Sequence, residues 1–81
     1  MRREICWKDM TENGVRREVR VHFFAGNIRW QYKRADSPSW EYDTPPTQAD
    51  WEELLVRVEN RYRRRGASHD DLELVRRLMP K

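Results

Sequence analysis

The chain has 81 residues, and one small domain is expected at this length because two independent cores rarely fit below about 100 residues. Its 17 basic and 14 acidic side chains give a net charge of only +3, so the sequence is not a histone-like polycation. Most large catalytic architectures are excluded as well.

The cysteine content and the hydropathy of the sequence indicate a reducing environment and no membrane span, respectively. A single cysteine cannot form an internal disulfide bond, and no apolar run approaches the roughly 20 residues that span a bilayer. The first residues lead into no apolar core of a signal peptide. We therefore expect a cytoplasmic protein with no membrane association.

The composition favours a folded domain. Hydrophobic residues make up 37% of the chain, which is below the usual globular share of about 45–50%. However, four Trp, three Tyr and two Phe give the apolar residues an unusually large area to bury.

Apolar residues recur with a period of two through the first part of the chain, which predicts strands over about residues 3–9, 15–24 and 28–34. The intervening residues are mostly charged, so each strand has one face for the core and one for solvent. The expected core face consists of Ile5, Trp7, Val19, Val21, Phe23, Ile28, Trp30 and Tyr32.

The register of the first hairpin follows from its turn. The loop Glu12-Asn13-Gly14 suits a three-residue connection with Gly14 in the left-handed conformation. It aligns apolar residues with each other and opposite charges with each other. The expected pairs are Ile5 with Val21, Trp7 with Val19, Lys8 with Glu18, Asp9 with Arg17, and Glu4 with His22.

Two registers remain open for the second hairpin. A turn at Gly26-Asn27 pairs Phe23 with Trp30, whereas a shift by two residues pairs Phe23 with Ile28. Both keep the same residues on the core face, because the shift is even.

A candidate fourth strand covers residues 39–42, where Trp40 and Tyr42 alternate with Glu41. Prolines bound this segment on both sides, and proline lacks the donor that a central strand needs. The segment therefore suits the edge of the sheet.

A first helix is predicted over about residues 48–65. Thr47 and Asp50 resemble a capping box, and Gly66 is the expected stop. Spacings of three and four residues produce one apolar stripe, formed by Trp51, Leu54, Leu55, Val58 and Tyr62.

A second, shorter helix is predicted over about residues 69–79, with Ser68 and Asp71 as its cap and Pro80 after its end. Its apolar surface offers a candidate interface for a protein partner or a second copy of the chain. The residues of this candidate interface are Leu72, Val75, Leu78 and Met79.

These elements predict an α+β fold in one domain, residues 1–81. A three- or four-stranded antiparallel sheet, an N-terminal meander, is covered on one face by the first C-terminal helix, with a second short helix beside it. The first helix is expected to cover the sheet because no other apolar stripe is long enough.

The other face of the sheet is the main candidate binding site. Strand alternation gives it five basic residues against two acidic ones, and Arg and Lys can contact the phosphates of a nucleic acid while an aromatic ring stacks on a base. Solvated strand faces are also commonly charged without any ligand. The candidate nucleic-acid-binding residues are Lys8, Arg16, Arg20, Phe24, Arg29 and Lys33.

A second basic cluster ends the first helix: Arg61, Arg63, Arg64 and Arg65. Cations stabilise the negative end of a helix, so we interpret this cluster as a cap that also aids solubility.

Catalytic and metal sites have little support. Cys6 and His22 are diagonal neighbours about 7–8 Å apart, too far for a hydrogen bond between short side chains. His69 lies beside Asp70 and Asp71, where a helix dipole explains the acids. We expect no catalytic residue, no metal and no cofactor.

The sequence therefore predicts a small, non-enzymatic binding or accessory domain of unknown specificity. A nucleic-acid-binding module that uses the basic sheet face is one alternative. A homodimer that associates through the second helix is another. Monomer and dimer are both compatible with the sequence.

Overall fold

A computed structural model describes residues 4–24 and 26–80. Three strands are followed by two helices, and the chain divides into two compact units, with the division falling between Pro45 and Pro46. The elements are β1 (Glu4–Met10), β2 (Arg16–Phe24), β3 (Asn27–Arg34), α1 (Gln48–Arg63) and α2 (His69–Leu78). The α+β class is confirmed, with one antiparallel sheet of order β1-β2-β3.

The first hairpin has the predicted register. Trp7 lies opposite Val19, and all the other expected pairs between β1 and β2 are present. The Thr11 N–H donates to the Val15 carbonyl at 2.8 Å, and Gly14 has a φ of +78°. The three-residue loop therefore forms as expected, because glycine alone accepts this backbone conformation without strain.

The second hairpin takes the register that pairs Phe23 with Ile28. Asn27 is the first residue of β3 and pairs with Phe24, so the alternative turn at Gly26-Asn27 is not formed. Gly26 has a φ of +73°, which suits a tight connection. This register also places Glu18 opposite Lys33.

The candidate strand at residues 39–42 is reduced to a single bridge. Glu41 exchanges two backbone hydrogen bonds with Tyr32 on the free edge of β3, at 3.0 and 2.6 Å. The prediction of a short edge strand is therefore too long, because the turns on either side prevent a second pair from forming.

The core face of the sheet is buried as predicted. Val19, Val21 and Tyr32 are at most 2% exposed, and the rings of Trp7 and Trp30 meet edge to face at 6.1 Å. At the border of this face Arg17 donates two hydrogen bonds to the Asp9 carboxylate, at 2.8 and 2.6 Å.

Both helices begin with the predicted capping boxes, Thr47 with Asp50 and Ser68 with Asp71. The end of α1 differs from the prediction. The helix ends at Arg63 and not at residue 65, and Arg65 takes the left-handed conformation with a φ of +62°. Gly66 instead donates its N–H to the Arg61 carbonyl at 2.7 Å, which closes the last turn.

The two helices pack within their own unit. Leu54 and Val58 of α1 and Val75 of α2 are fully buried, and Glu59 lies 3.6 Å from Arg76 across the pair. Neither helix has the length and apolar composition needed to cross a membrane within the part of the chain described. The covering of the sheet by the first helix stays a prediction.

Candidate nucleic-acid interface

The outward face of the sheet is the set of side chains opposite the core face on β1, β2 and β3. Antiparallel pairing arranges these side chains in rows across the strands. From one end to the other the rows are Met10 and Arg16; Lys8, Glu18 and Lys33; Cys6, Arg20 and Gln31; Glu4, His22 and Arg29; Phe24 and Asn27.

One end of this face is cationic. Lys8 and Arg16 are exposed and Lys33 is partly exposed, and the three come from three different strands. They line a shallow groove of about 470 Å³ together with Glu18 and with the paired side chains of Asp9 and Arg17. Four basic side chains against two acidic ones give the groove a net positive charge, which suits an anionic ligand such as a phosphate.

The middle of the face is partly covered by the segment after β3. The guanidinium carbon of Arg20 lies 4.3 Å from the centroid of the Trp40 ring, a cation–π geometry. The Arg20 Nε also lies 3.6 Å from a carboxylate oxygen of Glu4. Arg20 is therefore held by two neighbours, and its side chain retains 40% exposure.

The other end of the face carries an exposed aromatic ring. Phe24 is 57% exposed, and the guanidinium carbon of Arg29 lies 5.6 Å from the centroid of its ring. The His22 ring is tilted against Phe24 at 6.4 Å. The hairpin thus places a flat apolar surface beside an exposed cation.

A second groove, of about 450 Å³, borders Arg29 on the edge of β3. Arg29 and Gln31 of β3 line it together with Tyr42 and Asp43 of the following segment. Tyr42 is 65% exposed. Arg29 therefore contacts one exposed aromatic side chain, Phe24, and shares a groove with a second, Tyr42.

The sequence placed the six candidate residues on one face correctly, but it missed Trp40 and Tyr42 as neighbours of that face. Glu41 pairs with Tyr32, which points to the core, so pleating directs Trp40 to the opposite side, over Arg20. The alternation of aromatic and charged residues in this segment indicated an edge strand with both aromatic residues on one face. The sequence did not determine whether that face is the core face or the outward face of the sheet.

Cys6 and His22, the two residues considered above for a nucleophile and base, both lie next to Glu4. The Cys6 Sγ lies 3.5 Å from a Glu4 oxygen, to which the thiol donates. Partial burial of the sulfur and the Glu4 carboxylate together raise the pKa of Cys6, outweighing the opposite effect of Arg20. The His22 Nδ1 lies 3.7 Å from the other Glu4 oxygen, as the cross-strand pairing predicts. A raised pKa disfavours the reactive thiolate.

His69 contacts one residue of its own helix and one of α1. Its Nε2 lies 3.1 Å from a Glu73 oxygen, and its ring meets Tyr62 at 6.1 Å. Asp71 belongs to the capping box of α2, where its carboxylate accepts a hydrogen bond from the backbone N–H of Ser68, the N-cap residue. Among the described residues, no group of three or more His, Cys, Asp or Glu side chains is placed to hold a metal ion.

The remaining predicted surfaces lie in the helical unit. In the candidate interface on α2, Leu72 and Val75 are buried within the chain, whereas Leu78 is 39% exposed and Met79 partly exposed. The side chains of the basic cluster at the end of α1 are exposed. Arg61 and Arg63 lie in the last helical turn, where a cation is stabilised by the helix dipole.

Comparison of the chain with protein-family models, with curated proteins and with solved structures finds no match in any of the three.

Proposed function

We propose that the protein is a non-enzymatic binding domain whose outward sheet face binds the phosphate backbone of a nucleic acid. The observation that supports this most directly is the convergence of Lys8, Arg16 and Lys33 from three strands on one groove. Arg29 extends the positive surface toward the hairpin. The sheet supplies a rigid base for these flexible side chains.

The two acidic residues of the face reduce its positive charge but do not cancel it, because five basic side chains share the face. Glu4 lies within 4 Å of both Arg20 and His22, and Glu18 stands between two lysines. Four basic side chains of the face are not neighbours of Glu4 and can contact phosphates, although Lys8 and Lys33 share Glu18 between them: Lys8, Arg16, Arg29 and Lys33. For four contacts to a single strand, the logarithm of the binding constant should fall with the logarithm of salt concentration with a slope of about −3.

The homodimer alternative has weaker support, because two of its four candidate residues, Leu72 and Val75, contribute to the core of the helical unit. Leu78 alone exceeds one third exposure in that set. A stable dimer needs a larger continuous apolar area than one leucine supplies.

The test is fluorescence anisotropy with a labelled oligonucleotide over a range of salt concentrations. The variant Lys8→Gln/Arg16→Gln/Lys33→Gln should weaken binding at least tenfold and reduce the salt slope by about 2, roughly 0.7 for each lost contact. The matched control Arg63→Gln/Arg64→Gln/Arg65→Gln removes the same net charge from the helical unit. It should change binding less than threefold.

Equal losses in the two triple variants would contradict the proposal, because the binding would then follow net charge and not the sheet face. Binding by the native chain that is independent of salt would also contradict it. Circular dichroism of each variant establishes that the fold is retained.

A further inference from the structure

We infer that the ligand of the outward face is a single-stranded nucleic acid, whose unpaired bases stack on Phe24 and Tyr42 while its phosphates occupy the cationic groove. This inference rests on the proposed function and specifies its ligand class. It follows from the position of the aromatic rings, which a ligand that offers only phosphates would not use.

The aromatic side chains of the sheet and the segment after it differ widely in exposure. Of those that the structure describes, Phe24 and Tyr42 are the most exposed, at 57% and 65%. Trp7, Trp30 and Tyr32 are buried in the core. An exposed flat ring beside a cation is the arrangement on which bases stack in single-strand-binding sheets, because every base presents a π face whatever its sequence.

Arg29 lies near both exposed aromatic residues. Its guanidinium carbon lies 5.6 Å from the centre of the Phe24 ring, and its side chain also lines the groove that Tyr42 borders. A planar guanidinium stacks on bases as well as pairing with phosphates. Arg29 can therefore serve a base on either side or the phosphate that links them.

The groove beside Arg29 also offers hydrogen-bonding groups. Gln31, Asp43 and Thr44 line it. In a duplex the Watson–Crick edges of the bases are already hydrogen-bonded to each other, whereas unpaired bases expose these edges to the groups in the groove. Both the stacking surface and the polar lining therefore favour a single strand.

The charge of the face favours the same ligand. Duplex binders that contact only the backbone depend on many phosphate contacts, and the outward face offers about four. Stacking supplies the additional affinity, at roughly tenfold for each base. The rows of Glu18 and Phe24 are six residues apart along β2, which is about 20 Å. One short oligonucleotide can therefore reach both the cationic groove and the exposed aromatic ring.

The experiment compares three labelled ligands of one mixed sequence of about 12 nucleotides: single-stranded DNA, single-stranded RNA and duplex DNA. The native chain should bind at least one single strand about tenfold more tightly than the duplex. The ratio of RNA to DNA affinity then shows which single strand is preferred.

The variant Phe24→Leu/Tyr42→Leu retains apolar side chains but removes the rings. It should weaken single-strand binding at least tenfold and leave duplex binding within threefold. Tyr62→Leu is the matched control, since Tyr62 is 43% exposed but belongs to α1, and it should have no effect. Both substituted side chains of the double variant are exposed, so the fold should persist, which circular dichroism verifies.

The inference is overturned if the duplex binds as tightly as both single strands, or if the double variant binds single strands like the native chain. In either case the triple neutralisation of Lys8, Arg16 and Lys33 still tests the proposed function separately. If the native chain binds none of the three ligands, both fail.

Discussion

The guanidinium group of Arg20 lies over the indole ring of Trp40, with 4.3 Å between the guanidinium carbon and the ring centroid. This contact ties the segment after β3 to the outward face of the sheet. It also explains why Arg20 is only half exposed although strand alternation directs it to solvent. The cationic groove and the aromatic end of the face lie on either side of this contact.

A double-mutant cycle measures the Arg20 and Trp40 contact. Arg20→Gln, Trp40→Leu and the double variant should give a coupling free energy of about 0.5–1 kcal/mol, as expected for a partly exposed cation–π pair. Urea unfolding followed by circular dichroism gives the free energy of unfolding of the native chain and of the three variants. Additive effects of the two substitutions would show that the contact does not stabilise the fold.

The paired Asp9 and Arg17 side chains should stabilise the first hairpin. Their side chains are 33% and 18% exposed, and two charge-assisted hydrogen bonds join them. Asp9→Asn should lower the free energy of unfolding by about 1–2 kcal/mol. Asp36→Asn is the control, because Asp36 makes the same kind of pair with Arg34 at a site where both side chains are about half exposed.

The control should produce no resolvable change in urea unfolding. If Asp9→Asn also left the free energy of unfolding unchanged, the two hydrogen bonds between Asp9 and Arg17 would not stabilise the fold. The hairpin would then depend on apolar pairing alone.

Gly14 should be sensitive to substitution and Gly66 should not. An alanine at position 14 would have to adopt a φ near +78°, whereas Gly66 has no such requirement, and a Cβ there would meet the Arg61 carbonyl oxygen at an ordinary 3.5 Å. Gly14→Ala should cost about 1 kcal/mol, and Gly66→Ala should change stability by less than about 0.5 kcal/mol. Thermal unfolding of the two variants side by side tests this; the opposite order would refute the loop geometry.

Cys6 should react slowly with alkylating agents. Burial and the neighbouring Glu4 raise the pKa of its thiol, so the thiolate forms only at higher pH than usual. The rate of iodoacetamide modification plotted against pH should have its midpoint above the usual value of about 8.5. Glu4→Gln removes an acceptor and a negative charge and should move the midpoint down, whereas Glu12→Gln in the distant loop should not. A native midpoint below 8.5 would mean that Arg20 dominates.

The sequence was sufficient for the first hairpin because one loop length satisfied apolar pairing, charge pairing and the conformation of Gly14 together. The second hairpin was ambiguous since both registers kept Phe23 on the core face. Cross-strand pairs such as Glu18 with Lys33 are worth only a few tenths of a kcal/mol to about 1 kcal/mol, too little to decide from the sequence.

The candidate site was predictable to the extent that strand alternation determines it. Lys8, Arg16 and Arg29 lie on the predicted face and are exposed. The contribution of Trp40 and Tyr42 was not predictable, because it depends on where an irregular loop returns to the edge of β3. Such a return is set by tertiary contacts and not by periodicity.

Chemical-shift mapping by ¹H–¹⁵N NMR tests the central claim most directly. On titration with a single-stranded oligonucleotide at low salt, the largest amide shifts should fall in β1, β2 and β3, around Lys8, Arg16, Phe24, Arg29 and Lys33, and they should diminish as salt is added. Shifts concentrated in α1 and α2, or no shifts at millimolar oligonucleotide, would contradict a nucleic-acid-binding role for the sheet face.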